Sequence, residues 1–401
     1  MASNNSFNLT PAVQVKQMLL RGLIMTETEK EQRRYALAIS GGVCEVCGAP
    51  YFRGVNKMKI LSVFDGMSCG ALAMQAAGII IDNYIAYEVD KYAIQTAQHN
   101  FPFIEERGDV FKADFTEYVG FDYLIGGSPC TYWSIAQTKN RETVASGMGW
   151  ELFSQYVRAL HEAKPRFFLY ENNKSMSAAI RASITEMFGF EPICINSALV
   201  SAQNRQRLYW CGIRQSDGTY RKADIQQPAD RGILLKDILE INAQFNVMNK
   251  ELKSVENKDA GIIGILDMAG QEQIKRVYGT NGKCATLTTC QGGHREPKVF
   301  EKIAEPLRVN EATNEVYQYC GSIDAPIYEV KDGFITVKGN KYPSKLVDGF
   351  YTIRKLTVRE CMRLQTVPEW YEWPVSKSQA YKMLGNGWTV EVIAHLLRSL
   401  K

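Results

Sequence analysis

The sequence predicts an α/β fold: a parallel sheet with helices on both faces, interrupted by a smaller β-rich insertion. Three observations predict it. From Lys59 to Ile213 short apolar strands alternate with amphipathic helices, the rhythm of a sheet built from crossover connections. Between about 214 and 352 that rhythm gives way to turn residues and short β-like runs, such as Ile335-Thr336-Val337 and Phe350-Tyr351-Thr352-Ile353. From Lys355 onward helical patterning returns. The chain therefore divides into a helical extension over 1–57, a first sheet segment over 58–213, an insertion over 214–352, and a segment over 353–401 that completes the first unit.

Composition narrows the classes. A chain of 401 residues with 45% hydrophobic and 22% charged residues is ordinary globular material. The net charge of +4 permits a nucleic-acid partner without requiring one. No apolar run reaches the roughly 18 residues that span a bilayer, and Met1-Ala2-Ser3-Asn4-Asn5 lacks the basic and apolar regions of a signal peptide. The ten cysteines follow no disulfide rhythm, so reduced thiols in a cytoplasm are expected. Only four histidines are present, which supplies a histidine triad or zinc hydrolase site poorly.

In the extension, a helix is expected over Val13–Leu23, and a second begins near Thr26 or Thr28, each three residues before a glutamate. Cys44 and Cys47 form one Cys-x-x-Cys pair with no second pair to complete four ligands. They are either two thiols near a turn or a metal half-site, and no metal is expected.

The elements then follow in order. Strands are expected over Lys59–Phe64, Tyr84–Val89, Phe121–Ile125, Phe167–Tyr170, Glu191–Ser197 and Arg207–Ile213. Helices are expected over Gly70–Ala77, Lys91–Asn100, Trp150–Ala163 and Met176–Phe188, and later over Val358–Leu364 and Val390–Leu400. In such sheets ligands sit outside the carboxyl ends of the strands, and the motifs are expected at those ends.

The first strand ends in Phe64-Asp65-Gly66-Met67-Ser68-Cys69-Gly70. Glycines there let backbone approach a ligand, although a tight strand-to-helix turn gives the same pattern. Glu88 ends the second strand about 20 positions on, where a ribose diol is held in nucleoside-binding sheets. Gly108-Asp109-Val110 offers an acceptor for an adenine amino group. No Gly-x-Gly-x-x-Gly cradles a pyrophosphate, which favours S-adenosyl-L-methionine over NAD and counts against a dehydrogenase.

Ser128-Pro129-Cys130 follows the third strand through Gly126-Gly127, and Glu171-Asn172-Asn173 ends the fourth. A thiol and a carboxyl at neighbouring strand ends suit attack on an electron-poor ring: one adds to a ring carbon while the other protonates a ring nitrogen. A buried cysteine and a helix-capping acid are the bland alternatives. Alternation places Gln203, Arg205 and Arg207 on one face, either to clamp a base carbonyl or phosphates or as a basic edge. Gly385-Asn386-Gly387-Trp388 precedes the last helix, with the tryptophan either a core anchor or a platform for adenine. Arg354 to Glu360 reads as a structural joint back to the sheet.

In this order the motifs resemble the DNA cytosine carbon-5 methyltransferases over 58–213 and 350–401, about half the chain. Phe64-Asp65-Gly66, Ser128-Pro129-Cys130 and Trp388 are similar to the branch that includes the mammalian de novo enzymes, while the compact architecture suits a bacterium or phage. Thr131 and Asn173 depart from the family pattern. The resemblance implies a Rossmann-like S-adenosylmethionine-dependent sheet with an inserted target-recognition domain. It also implies Cys130 as nucleophile, Glu171 as the group at ring nitrogen 3, and Arg205 and Arg207 holding the base carbonyl and backbone. Phe64, Asp65, Gly66, Gly70, Glu88, Val89, Asp109, Val110, Asn386, Gly387 and Trp388 would line the site for S-adenosyl-L-methionine and its product S-adenosyl-L-homocysteine. Thr131–Gly149, with Lys139 and Arg141, resembles the mobile catalytic loop. The implied partner is double-stranded DNA in a nucleoid, with no membrane and a monomer or weak dimer. An RNA-directed relative and a catalytically silent regulatory relative are the rival readings. The retained cysteine, glutamate and glycine loop argue against silence. A shorter insertion and a Cys-Phe-Thr segment, usual in the tRNA-directed branch, are both missing.

Overall fold

The computed structural model describes residues 57–135, 141–240, 247–258, 261–290, 294–303, 308–310, 315–320 and 323–400. The expected helices before residue 57, the Cys44 and Cys47 pair, and Lys139 lie outside the described residues.

The first sheet is built on β1 (Met58–Val63), β2 (Ile81–Tyr87), β3 (Glu105–Glu106), β4 (Tyr123–Gly126) and β5 (Phe167–Asn173). To these it adds β6 (Ile193–Asn196), β8 (Gln206–Arg214) and β9 (Tyr220–Lys222). Its order is β3-β2-β1-β4-β5-β8-β6, with β9 on β8. The strands from β3 to β5 run parallel, in register pairs such as Leu61↔Leu124 and Ile125↔Leu169. Near-continuous burial along β1 and β4 is what a parallel strand covered on both faces requires.

The expectation of a wholly parallel sheet is corrected at β8, which runs antiparallel to both β5 and β6. No crossover helix separates β6 from β8. Only the one-turn helix Ser197–Leu199 and the short β7 (Gln203–Asn204) intervene, so the chain returns alongside β6 in the opposite direction. The reversal brings Arg207 opposite Asn173, at the same sheet edge where β4 and β5 end.

The sequence pattern locates α1 (Cys69–Ala76), α2 (Lys91–Asn100), α3 (Met148–Ala163), α4 (Ala178–Phe188) and α5 (Val358–Leu364) to within two residues. Asp90, Ser177 and Thr357 cap α2, α4 and α5 by accepting from backbone N–H groups of the first turn. α6 (Lys377–Asn386) is a helix the periodicity does not announce, because its buried residues Ala380, Met383, Leu384 and Gly385 make only a narrow stripe. α7 (Val390–Ser399) closes the chain and packs on α1.

The main core is aromatic. Phe153, Tyr156 and Phe188 from α3 and α4 meet Phe168, Tyr170 and Trp210 from β5 and β8. A second sheet holds β10 (Leu252–Lys258), β20 (Gly349–Lys355) and the strands between them except Cys284–Ala285, which pairs with β7, around Leu252, Leu266, Val277, Phe300 and Ile353. β9 lies past residue 213 yet belongs to the first sheet, and β20 runs through residue 352. Arg354 on β20 is fully buried and takes both carboxylate oxygens of Glu360 on α5 at 2.8 Å. Glu301 pairs with it on the other side. Among the described residues no helix is long and apolar enough to cross a membrane.

Candidate active site

The site forms where β1, β2, β4 and β5 end. After β1 the chain turns through Phe64 at φ 60° and Gly66 at φ 63°. A bulky side chain in the left-handed region costs on the order of 1–3 kcal/mol, and such strain persists where surrounding structure enforces it. Here the enforcement is visible. Asp65 donates its N–H to Tyr87 O at 3.2 Å. Its carboxylate accepts from the hydroxyls of Ser62 (2.5 Å), Tyr84 (2.6 Å) and Ser68. Burial raises the Asp65 pKa while these three hydroxyls oppose the rise. Asp65 thus shapes the loop with its carboxylate hydrogen-bonded inward, and it still lines the cleft as expected.

Glu88, just past β2, accepts from the backbone N–H groups of Gly66 (2.8 Å), Val89 (2.7 Å) and Asp90 (2.8 Å). A carboxylate has about four acceptor positions, so these bonds leave one free on a residue that lines the cleft.

Gly127 follows β4 at a point of close approach. A Cβ there would stand 2.9 Å from Glu171 Oε2 and 3.4 Å from Trp388 Nε1. Bare backbone is what lets the three segments meet. The Ser128-Pro129-Cys130 turn is fastened from β5, where Asn172 Nδ2 donates to Ser128 O at 3.2 Å and to Tyr170 OH at 3.1 Å. Ser128 and Tyr170 share a hydroxyl hydrogen bond of 2.7 Å. The unusual Asn173 is buried and satisfied, accepting from Ser175 Oγ at 2.7 Å.

These turns wall one cleft of about 950 Å³, its open mouth included. Phe64, Asp65, Gly66, Glu88, Cys130, Glu171, Arg205, Arg207, Asn386, Gly387 and Trp388 line it together. Glu171 Oε1 lies 3.1 Å from Arg207 Nε, and its Oε2 accepts from Trp388 Nε1 at 2.9 Å. Burial pushes the Cys130 thiol up from its ordinary value of 9.0, and the positive charge of Arg207 acts against that. The free protein therefore favours the neutral thiol.

Four expected residues do not line the cleft, and each has a physical reason. A Cβ at Gly70 would fall 2.4 Å from Ile125 Cδ1, so this glycine serves helix-to-sheet packing. Val110 belongs to the apolar core. Asp109 accepts from Phe111 N at 3.0 Å and starts a one-turn helix. Val89 turns outward, 71% exposed. Arg205 also departs from expectation, because it is buried and donates to Leu287 O (3.1 Å), Gly385 O (3.1 Å) and Gly387 O (2.8 Å). Burial and the neighbouring Arg207 pull its pKa down to about 10, so it remains charged at neutral pH. Arg141 is likewise engaged, donating to Trp133 O at 3.2 Å and Ser175 O at 2.5 Å.

Sequence reasoning missed several lining residues, among them Met67, Cys69, Asp90, Lys382 and Met383. Lys382 reaches Asp90 at 2.6 Å. Ser376, three residues before Gln379 and accepting from its N–H, is the capping signal that locates α6 and hence Lys382.

A doubly wound sheet with a glycine turn after β1, an acid after β2 and no pyrophosphate cradle defines an S-adenosylmethionine-dependent methyltransferase. Comparison with known proteins gives the family. The model of the C-5 cytosine-specific DNA methylases matches residues 58–401, and the chain belongs to that family. It is 26% identical to the orphan methyltransferase M.SPRI of Bacillus phage SPR, over 86% of this chain and 98% of that one. It is also 26% identical to the type II methyltransferase M1.ScrFI of Lactococcus lactis subsp. cremoris, over 85% and 77%. Among solved structures, the Dnmt2 methyltransferase of S. pombe superposes with a TM-score of 0.53 at 15% identity, over 86% of this chain and 98% of that one. At that identity the likeness speaks for the fold.

Proposed function

We propose that this protein methylates carbon 5 of a cytosine turned out of double-stranded DNA, through a transient bond between Cys130 and the base. The observation that carries the reading is the meeting of Cys130, Glu171 and Arg207 in one cleft with the Phe64–Met67 turn and Glu88. A cytosine inside a duplex cannot reach such a cleft, so the base must leave the stack. The Cys130 thiolate adds to carbon 6, and the electron pair displaced across the ring gathers charge at nitrogen 3. Glu171 meets that charge with a proton or a hydrogen bond. Carbon 5 is thereby made nucleophilic. Loss of the carbon-5 proton and of the thiol afterwards restores aromaticity.

S-adenosyl-L-methionine, when bound, supplies an electrophilic methyl group. The residues present fit it: Glu88 keeps one acceptor position for a ribose hydroxyl, and Phe64 and Trp388 offer aromatic walls. Arg207 holds Glu171 beside the thiol and faces the base carbonyl and backbone.

The test is transfer of labelled methyl from S-adenosyl-L-methionine to unmethylated duplex DNA, with bisulfite sequencing of the product. Modified cytosines in a fixed context are expected. Cys130→Ala should abolish transfer while still binding S-adenosyl-L-homocysteine. Methylation by that variant, or label appearing in RNA with none in DNA, would overturn the reading.

A further inference from the structure

Resting on that function, we propose that Trp388 is a positioning residue for the Glu171 carboxyl, so that the loop walling the cofactor cleft also sets the acid. Trp388 entered the sequence reading as a core anchor or a platform for adenine and, by resemblance, as a wall of the cofactor site, with no link to Glu171. Its indole N–H instead donates to Glu171 Oε2 at 2.9 Å, while Arg207 Nε stands 3.1 Å from Oε1. The division of oxygens matters. A guanidinium fork left alone with a carboxylate tends to take both oxygens, which would turn Glu171 onto Arg207 and away from the base. The indole holds one oxygen back and fixes the carboxyl plane.

Two further features point the same way. Gly127 leaves the space in which Glu171 Oε2 and Trp388 Nε1 meet, since a Cβ there would crowd Glu171 Oε2 at 2.9 Å and touch Trp388 Nε1 at 3.4 Å. The loop bearing Trp388 is also pinned on each side. Arg205 donates to Gly387 O at 2.8 Å and Gln365 Nε2 to the same oxygen at 3.1 Å. Thr389 Oγ1 donates to Gln365 Oε1 at 2.9 Å. The buried Arg205, whose guanidinium has three backbone carbonyl partners, therefore acts on Glu171 through Trp388.

Trp388→Phe keeps an aromatic wall and removes the N–H. Single-turnover methyl transfer by this variant should fall on the order of tenfold or more, the effect of losing a hydrogen bond to a charged group. Its affinity for S-adenosyl-L-homocysteine by calorimetry should stay within about threefold, because the ring remains. In a Glu171→Gln background the same change should cost little more, since the two residues act as a unit. A crystal structure of Trp388→Phe should show the carboxyl rotated onto Arg207. An unchanged rate, a loss that follows cofactor affinity, or an unmoved carboxyl would overturn the role while leaving the function standing. Absence of transfer by the unaltered enzyme would overturn both.

Discussion

Cys130 sits half-buried four residues past β4, at the start of a one-turn helix, its thiol pushed above 9.0 by burial while Arg207 pulls the other way. The sign of the consequence follows directly. A raised thiol pKa leaves little thiolate at neutral pH, so reactivity toward iodoacetamide should rise with pH and keep rising past the range of a free cysteine. We expect Cys130 in the free enzyme to be alkylated more slowly than a solvent-exposed thiol at pH 8. Mass spectrometry of the labelled peptide across a pH series checks this, and a plateau below pH 8 would contradict the geometry. Among the other described cysteines Cys211, Cys284, Cys290 and Cys361 are buried outside the cleft with raised thiols. They should stay unlabelled throughout.

At the scale of elements, the reversed strand β8 delivers Arg207 to the edge where β4 and β5 end, and the joint between β20 and α5 locks the second sheet to the chain that follows. That joint is a buried ion cluster: Arg354 at 0% exposure, bidentate on Glu360, which also completes the α5 capping box with Thr357. Removing one partner of such a cluster strands a buried charge and costs about 3–5 kcal/mol. Arg354→Met should lower the stability measured by urea unfolding by that order. A loss under about 1 kcal/mol would mean that the cluster relaxes into water. The joint was legible in the sequence as the run from Arg354 to Glu360, read as structural. The partner Glu301, more than fifty positions away, was not, because only strand pairing between β14 (Lys298–Ile303) and β20 brings it near.

For the whole molecule, the first unit carries an internal acid with no compensating partner. Glu106 on β3 has both carboxyl oxygens sealed from solvent and without a hydrogen-bond partner among the described residues. Burial first, and then the negative charges of Asp65 and Glu88, raise its pKa from 4.5 to about 8. Between those values the folded state keeps a proton that the unfolded chain has lost, so stability falls as pH rises from about 4.5 toward 8. Glu106→Gln removes the penalty, since an amide stays neutral. It should leave thermal unfolding near pH 4 little changed and raise it at pH 8. A gain on the order of 1 kcal/mol corresponds to roughly 1 °C for a protein of this size. An equal shift at both pH values would point to packing instead of charge.

The sequence alone determined the alternation of strands and helices, the β-rich insertion, and the set of chemical groups in the site. Those rest on local signals: apolar periodicity, capping residues, and motifs that sit where strands end. Cys130, Glu171 and the Phe64–Gly66 turn were legible for that reason. The tertiary structure alone decided what each side chain touches. It turned β8 around, drew Asp65 onto three hydroxyls, placed Val110 in the core, and gave Arg205 to three carbonyls. It also brought Trp388 to Glu171 across 217 positions of chain. Periodicity reports which face of an element is apolar. It does not report which distant polar group will satisfy a buried donor, because that partner is fixed only when the whole sheet has closed.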